Sequence, residues 1–109
     1  MNPTTPTAAC LYSPLAQDPD LNELVDMFVA EMPERTSSLL AQVQARDWEQ
    51  LRCSAHRLRG AAGSYGFGQL TPSAARLEEA ISTRAPEEQI LQAVDELVEL
   101  CGRIRCGTP

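Results

Sequence analysis

Apolar residues recur at helical spacing through most of the chain, and this periodicity is the strongest constraint on its fold. From Leu21 onward they repeat every three or four residues, as on the buried face of an amphipathic helix. No window shows the alternation that a half-buried strand requires. Prolines and glycines divide the pattern into four segments with short connections. The sequence therefore predicts an all-α fold, an antiparallel four-helix bundle.

Capping residues predict where the first two helices begin. Asp18 fits the N-cap of the first helix and Pro19 its first position, while Pro33 must end or kink that helix. Asp47 fits the N-cap of the second helix, which is expected to fade across the glycine-rich stretch 63–68.

Similar signals delimit the rest of the chain. Thr71 is the predicted N-cap of the third helix, and the fourth is expected to start near Pro86 and run to Gly107. Residues 1–17 carry three prolines among threonines and alanines, so they are predicted to form an extended or partly disordered arm, with room for a short extra helix. The bundle is predicted to span residues 18–107.

Length and composition restrict the possible functions. A chain of 109 residues, 43% hydrophobic, fits one domain with a modest core and leaves little room for both an ATP site and a substrate site. Without a signal peptide or an apolar run of membrane-spanning length, we expect a cytoplasmic protein that does not enter a membrane. The net charge of -6 argues against nucleic acid as a partner. We expect a monomer.

The four cysteines have no metal-binding spacing. They stand at positions 10, 53, 101 and 106, and the chain has one histidine to accompany them. Free, reduced thiols and no bound metal are therefore the expectation.

That histidine is predicted to lie on the surface. On a helical wheel His56 falls about 120° from the centre of the apolar stripe of its helix, so it should face solvent. Arg52 one turn before it and Arg59 one turn after share its face. Residues 50–77 hold four arginines and no acid, which predicts a local field favouring an anion. An idle surface histidine and a chance gap in acids are the alternatives.

Two glycines follow the histidine on the same helix. Gly60 and Gly63 together cost about 2 kcal/mol relative to alanine, and a glycine at 60 would leave the imidazole open to a large partner. Close helix packing at Gly60 and a helix end at Gly63 are the alternative explanations.

The run His-Arg-Leu-Arg-Gly-Ala-Ala-Gly-Ser-Tyr-Gly-Phe at 56–67 resembles the HxLKGxAGxxG signature of histidine-phosphotransfer (HPt) domains. The resemblance covers about 90 residues, all but the arm. Within the signature, Arg59 stands where the family usually has lysine, which keeps the charge but changes the donor geometry.

The resemblance implies that His56 accepts a phosphoryl group from an aspartyl phosphate on one receiver domain and passes it to another. The partners would be receiver domains of response regulators and hybrid histidine kinases in a bacterial two-component phosphorelay. They would supply the Mg²⁺, so the chain would need no cofactor and would have no ATP-dependent kinase activity. The resemblance also implies a polar side chain near the imidazole at the position of Glu78, where it would hold the Nδ1 proton and leave Nε2 free. An exposed helix glutamate with no such role is the alternative.

Two other functions compete with this one. A non-catalytic adaptor would dock a receiver domain without carrying phosphate. A small helical metal-binding protein would use Cys53 and His56 with ligands from elsewhere in the chain.

Overall fold

The computed structural model describes residues 9–109 and confirms the all-α prediction. Four helices form the body: α1 (Asn22–Gln44), α2 (Trp48–Ser64), α3 (Thr71–Ser82) and α4 (Glu87–Cys101). Short 3₁₀ turns lie at Pro14–Gln17 and Gly68–Leu70, and two short strands are β1 (Leu11–Tyr12) and β2 (Ile104–Arg105).

The predicted apolar stripes form one core. Apolar residues that are at most 5% exposed come from all four helices, from the segment after α2 and from β2. They are Val25, Phe28, Met32, Leu39, Leu51, Ala55, Leu58, Ala62, Phe67, Leu70, Ala74, Leu77, Ile90, Ala93, Val94, Leu97, Cys101 and Ile104. Phe28 of α1 stacks on both Tyr65 and Phe67, at centroid distances of 5.1 and 5.7 Å, so α1 packs against the end of α2.

The first helix starts later and runs further than its sequence signals indicate. Asp18 does accept a hydrogen bond from the Asp20 N–H (2.8 Å), but this caps a single turn, and the regular helix begins at Asn22 with no side-chain cap. Pro33 does not end the helix, which continues to Gln44. Tertiary packing on both sides of Pro33, at Met32 and Leu39, offsets the hydrogen bond that proline removes.

The second helix begins as predicted. Asp47 is its N-cap, and the carboxylate accepts a 3.2 Å hydrogen bond from the Gln50 N–H. At the other end, Gly66 adopts φ +85°, and the Phe67 N–H donates to the Ala62 carbonyl at 2.8 Å. This is a Schellman ending, which needs a left-handed residue after the C-cap.

Two predicted boundaries in the second half are wrong. Thr71 is the first residue of α3 rather than its N-cap, because the 3₁₀ turn at Gly68–Leu70 leads directly into the helix. Helix α4 ends at Cys101, not at Gly107. Ile104 is buried as its helical spacing suggested, but it lies in a strand.

The described residues also contain two short strands that the apolar pattern did not indicate. Leu11–Tyr12 pairs in parallel with Ile104–Arg105, and the Leu11 N–H donates to the Arg103 carbonyl at 2.8 Å. Two-residue strands are too short to leave an alternating pattern in the sequence.

Part of the predicted arm packs on the bundle. Leu11, Leu15 and Ala16 contact the core, and Ser13 is 2% exposed. The Ser13 hydroxyl donates to the Tyr65 carbonyl at 2.6 Å and so ties this segment to the end of α2. The first eight residues lie outside the described part of the chain, and the division into arm and bundle at residue 18 stays a prediction.

The four cysteines are free thiols in this structure. Burial raises the pKa of Cys101 to about 11, so this thiol is protonated and unreactive near neutral pH. Over residues 9–109, no helix combines the length and the apolar character needed to cross a membrane.

The contact between the arm and Gly66 leads to a stability prediction. A Cβ at position 66 would overlap the Ser13 hydroxyl, press on Leu15 at 3.2 Å and occupy a left-handed conformation. We expect Gly66→Ala to lower the free energy of unfolding by roughly 1–3 kcal/mol or more. Denaturant unfolding measures this, with Gly60→Ala as the control because nothing lies within 4 Å of a Cβ there. Equal stability of the two variants would contradict the prediction.

Candidate functional site

His56 lies in the middle of α2 with its ring in solvent. Its side chain is 60% exposed, because the apolar face of α2 turns Leu51, Ala55 and Leu58 into the core and leaves position 56 outside. The predicted exposure of the histidine is therefore observed.

Glu78 of α3 holds one nitrogen of the imidazole. Its Oε2 lies 2.9 Å from Nδ1 of His56. An ionised carboxylate can only accept a hydrogen bond, so the proton of a neutral ring belongs on Nδ1 in this contact. Nε2 then carries the free lone pair. The neighbouring Leu77 is fully buried, and this packing fixes where Glu78 stands.

Arg59 reaches the same carboxylate from the next turn of α2. Its Nη1 lies 3.2 Å from Oε1 of Glu78, but the atoms are not aligned for a hydrogen bond, so the contact is an ion pair. Glu78 is 16% exposed and Arg59 40%. The guanidinium therefore stays partly in solvent beside the imidazole.

Arg52 is engaged elsewhere. It forms a two-point contact with Glu49, at 2.6 and 3.2 Å, and this pairing lowers the pKa of Glu49 and raises that of Arg52. The predicted role of Arg52 in supporting phosphate stays a prediction, and it would require this exposed pair to open.

The acid-free run is not an unbalanced cluster of positive charge. Arg52 pairs with Glu49, Arg59 with Glu78, and Arg76 with Glu96 at 2.8 Å. The composition of residues 50–77 does not reveal these pairings, because all three carboxylates lie outside that run. Of the four arginines, Arg57 has no ion pair within the described residues.

The two glycines have different surroundings. Gly60 is exposed, and nothing lies within 4 Å of a Cβ built on it, so close helix packing does not explain this glycine. Gly63 lies in the last turn of α2, and its carbonyl accepts a hydrogen bond from Gly66 at 3.3 Å. A Cβ at Gly63 would only touch Thr71 Oγ1 at 3.9 Å. The helix-end explanation fits Gly63, and open access fits Gly60.

These residues can support a nucleophilic nitrogen. The imidazole is exposed, its Nδ1 is held by a carboxylate, and the guanidinium of Arg59 contacts the same carboxylate. Within residues 9–109 there is no group of three or more His, Cys, Asp or Glu side chains that could hold a metal ion.

Comparison with known proteins places the chain in a family. The model of the Hpt domain matches residues 23–105, which include His56 and the four helices except for Asn22, the first residue of α1. Neither the curated proteins nor the solved structures contain a match. The match covers most of the chain, from the start of α1 to β2. We conclude that the chain belongs to the Hpt domain family, whose domains act in phosphotransfer in phosphorelays.

Proposed function

We propose that this protein carries a phosphoryl group on Nε2 of His56 between receiver domains of a two-component phosphorelay. The observation that carries the proposal is the 2.9 Å contact between Glu78 and Nδ1, which leaves Nε2 as the free nucleophile on a 60% exposed ring. The membership of the chain in the Hpt family supports it.

The first half-reaction forms a phosphoramidate. The Nε2 lone pair attacks phosphorus, the N–P bond forms, and the P–O bond of the aspartyl phosphate breaks with its electrons passing to the carboxylate oxygen. Positive charge develops on the ring as Nε2 is phosphorylated. The carboxylate of Glu78 stabilises that charge through the Nδ1–H contact.

The second half-reaction reverses these bonds. A carboxylate oxygen of the second receiver attacks phosphorus, and the N–P bond electrons return to Nε2. Arg59 contacts the same carboxylate as the ring, and we expect it to turn from Glu78 to the phosphoryl oxygens while the phosphate is present. The receivers are expected to supply Mg²⁺ and the acidic pocket, while this chain supplies the nucleophile, its positioning carboxylate and a cation.

Gly60 gives the partner room. Position 60 follows His56 by one turn, and a side chain there would lean toward the N-terminus of α2 and cover the ring. Because the glycine touches nothing within 4 Å of its missing Cβ, its advantage lies outside the folded monomer. A docking receiver is the occupant that would need this space.

The phosphoacceptor is tested by one substitution. Incubation with a phosphorylated receiver should label the protein with an acid-labile, base-stable phosphate, and His56→Gln should abolish the label because the chain has no other histidine. The free energy of unfolding of this variant should lie within about 0.5 kcal/mol of that of the native protein, since position 56 is exposed. Undiminished labelling of the variant would contradict the proposal. Docking of a receiver by the native protein without labelling would favour an adaptor.

We expect Glu78 to affect the rate of phosphoryl transfer more than the stability of the fold. Glu78→Gln keeps a hydrogen-bond acceptor for Nδ1–H but removes the charge that stabilises the phosphorylated ring. We expect phosphoryl transfer to slow by about tenfold or more, the difference between a charged and a neutral hydrogen bond. Rapid-quench transfer kinetics measure this, with Glu79→Gln as the matched control because Glu79 is exposed and forms no ion pair with His56 or Arg59. Equal rates for both variants would assign Glu78 a structural role only.

Substitutions at Gly60 distinguish an effect on folding from an effect on docking of the receiver. Gly60→Ala should stabilise the isolated domain by up to about 1 kcal/mol, because alanine favours the helix and meets no neighbour. Gly60→Gln should slow transfer, since its side chain would lie over the imidazole and obstruct in-line approach. Thermal melts and transfer rates are measured on both variants. Destabilisation of Gly60→Ala, or normal transfer by Gly60→Gln, would contradict this role.

A further inference from the structure

A pair of arginines lies on the side of α2 that faces α1, away from Glu78. Arg35 of α1 and Arg57 of α2 line a cavity of about 150 Å³ between the two helices. The remaining lining residues are Ser38, Leu39, Gln42, Ser54 and Leu58. Successive residues of a helix point about 100° apart, so Arg57 faces this cavity while His56 faces α3. The cavity is a separate place from the site around His56.

Two of the residues that line this cavity each carry a buried polar atom without a partner. The Nε of Arg35 and the Oε1 of Gln42 are buried and make no hydrogen bond among the described residues. The carboxylate beside Arg35, that of Glu31, meets only its Nη2, at 3.5 Å, and on the outer face of α1. A buried donor without a partner costs about 1–3 kcal/mol, so something that accepts hydrogen bonds would stabilise this region.

The charge of the cavity is also unbalanced. Arg57 makes neither an ion pair nor a hydrogen bond with any residue in 9–109. No carboxylate is among the residues that line the cavity. Two positively charged side chains that line one cavity repel each other, and among the described residues the only carboxylate paired with either is the exposed Glu31, 3.5 Å from Arg35. An anion between them would remove that repulsion.

The donors define the class of that anion. Two guanidinium groups, the hydroxyls of Ser38 and Ser54 and the amide of Gln42 can all donate, since the amide can turn its nitrogen inward. Guanidinium matches the oxygens of phosphate and sulfate in two-point contacts. The space holds more than a single water and is too small for a nucleotide.

We propose that the cavity between α1 and α2 is a binding site for a small tetrahedral oxyanion, inorganic phosphate or sulfate, held by Arg35 and Arg57. Ser38, Ser54 and Gln42 complete the donor set. The site binds the free ion without any covalent step. It does not depend on His56 carrying phosphate.

The test is a titration of the unphosphorylated protein with inorganic phosphate and, separately, with sulfate, at constant ionic strength maintained with sodium chloride. The backbone amide NMR signals of Arg35, Ser54 and Arg57, and the guanidinium signals of the two arginines, should shift and saturate. Arg57→Gln should weaken the affinity by about tenfold or more, as the loss of a charged hydrogen-bond donor predicts. This side chain is exposed, so the variant should fold.

A second variant places a charge in the cavity. Gln42→Glu supplies the missing carboxylate, so it should abolish phosphate binding and raise the melting temperature in phosphate-free buffer. Arg76→Gln is the matched control and should bind phosphate within about twofold of the native protein. Non-saturating shifts, or equal affinity in Arg57→Gln, would overturn the proposal. Binding lost in Arg59→Gln but kept in Arg57→Gln would place the anion at His56 and overturn it as well.

Discussion

The packing of α2 against α3 is the interaction on which the candidate site depends. Leu58 and Ala62 of α2 and Ala74 and Leu77 of α3 are all at most 2% exposed in the shared core. This packing fixes the rotation of both helices. It therefore brings the largely buried carboxylate of Glu78 to 2.9 Å from the exposed imidazole of His56. Apolar burial supplies the free energy that orders the polar pair, since exposed ion pairs contribute little themselves.

The same helix serves three surfaces. One face of α2 enters the core, the His56 face looks toward α3 and solvent, and the Arg57 face looks toward α1. A helix separates neighbouring side chains by about 100°, so adjacent residues can face environments of different charge. His56 stands beside a carboxylate, whereas Arg57 has none. The site around His56 and the cavity between α1 and α2 are therefore built from different contacts.

Both ends of α2 are secured, the start by a local cap and the end by a contact with a segment distant in sequence. Its start is capped by Asp47, and its end is closed by the Schellman turn at Gly66, over which Ser13 lies. The segment at Ser13 also reaches β2 through Leu11, which links the beginning of the described chain to its last strand. These contacts hold the helix that carries His56 at both ends, even though none of them touches the imidazole.

The sequence by itself determined the four helices, the exposure of His56 and the cap at Asp47, because helical periodicity and N-capping are local properties of the chain. It also placed the chain in its family through the run at 56–67. Only the tertiary structure decided where α1 and α4 end, since packing keeps a helix intact through Pro33 and pairing draws Ile104 into a strand. The tertiary structure also decided which charged side chains surround His56. Glu78 reaches that region from another helix, and distances between helices do not appear in a one-dimensional pattern.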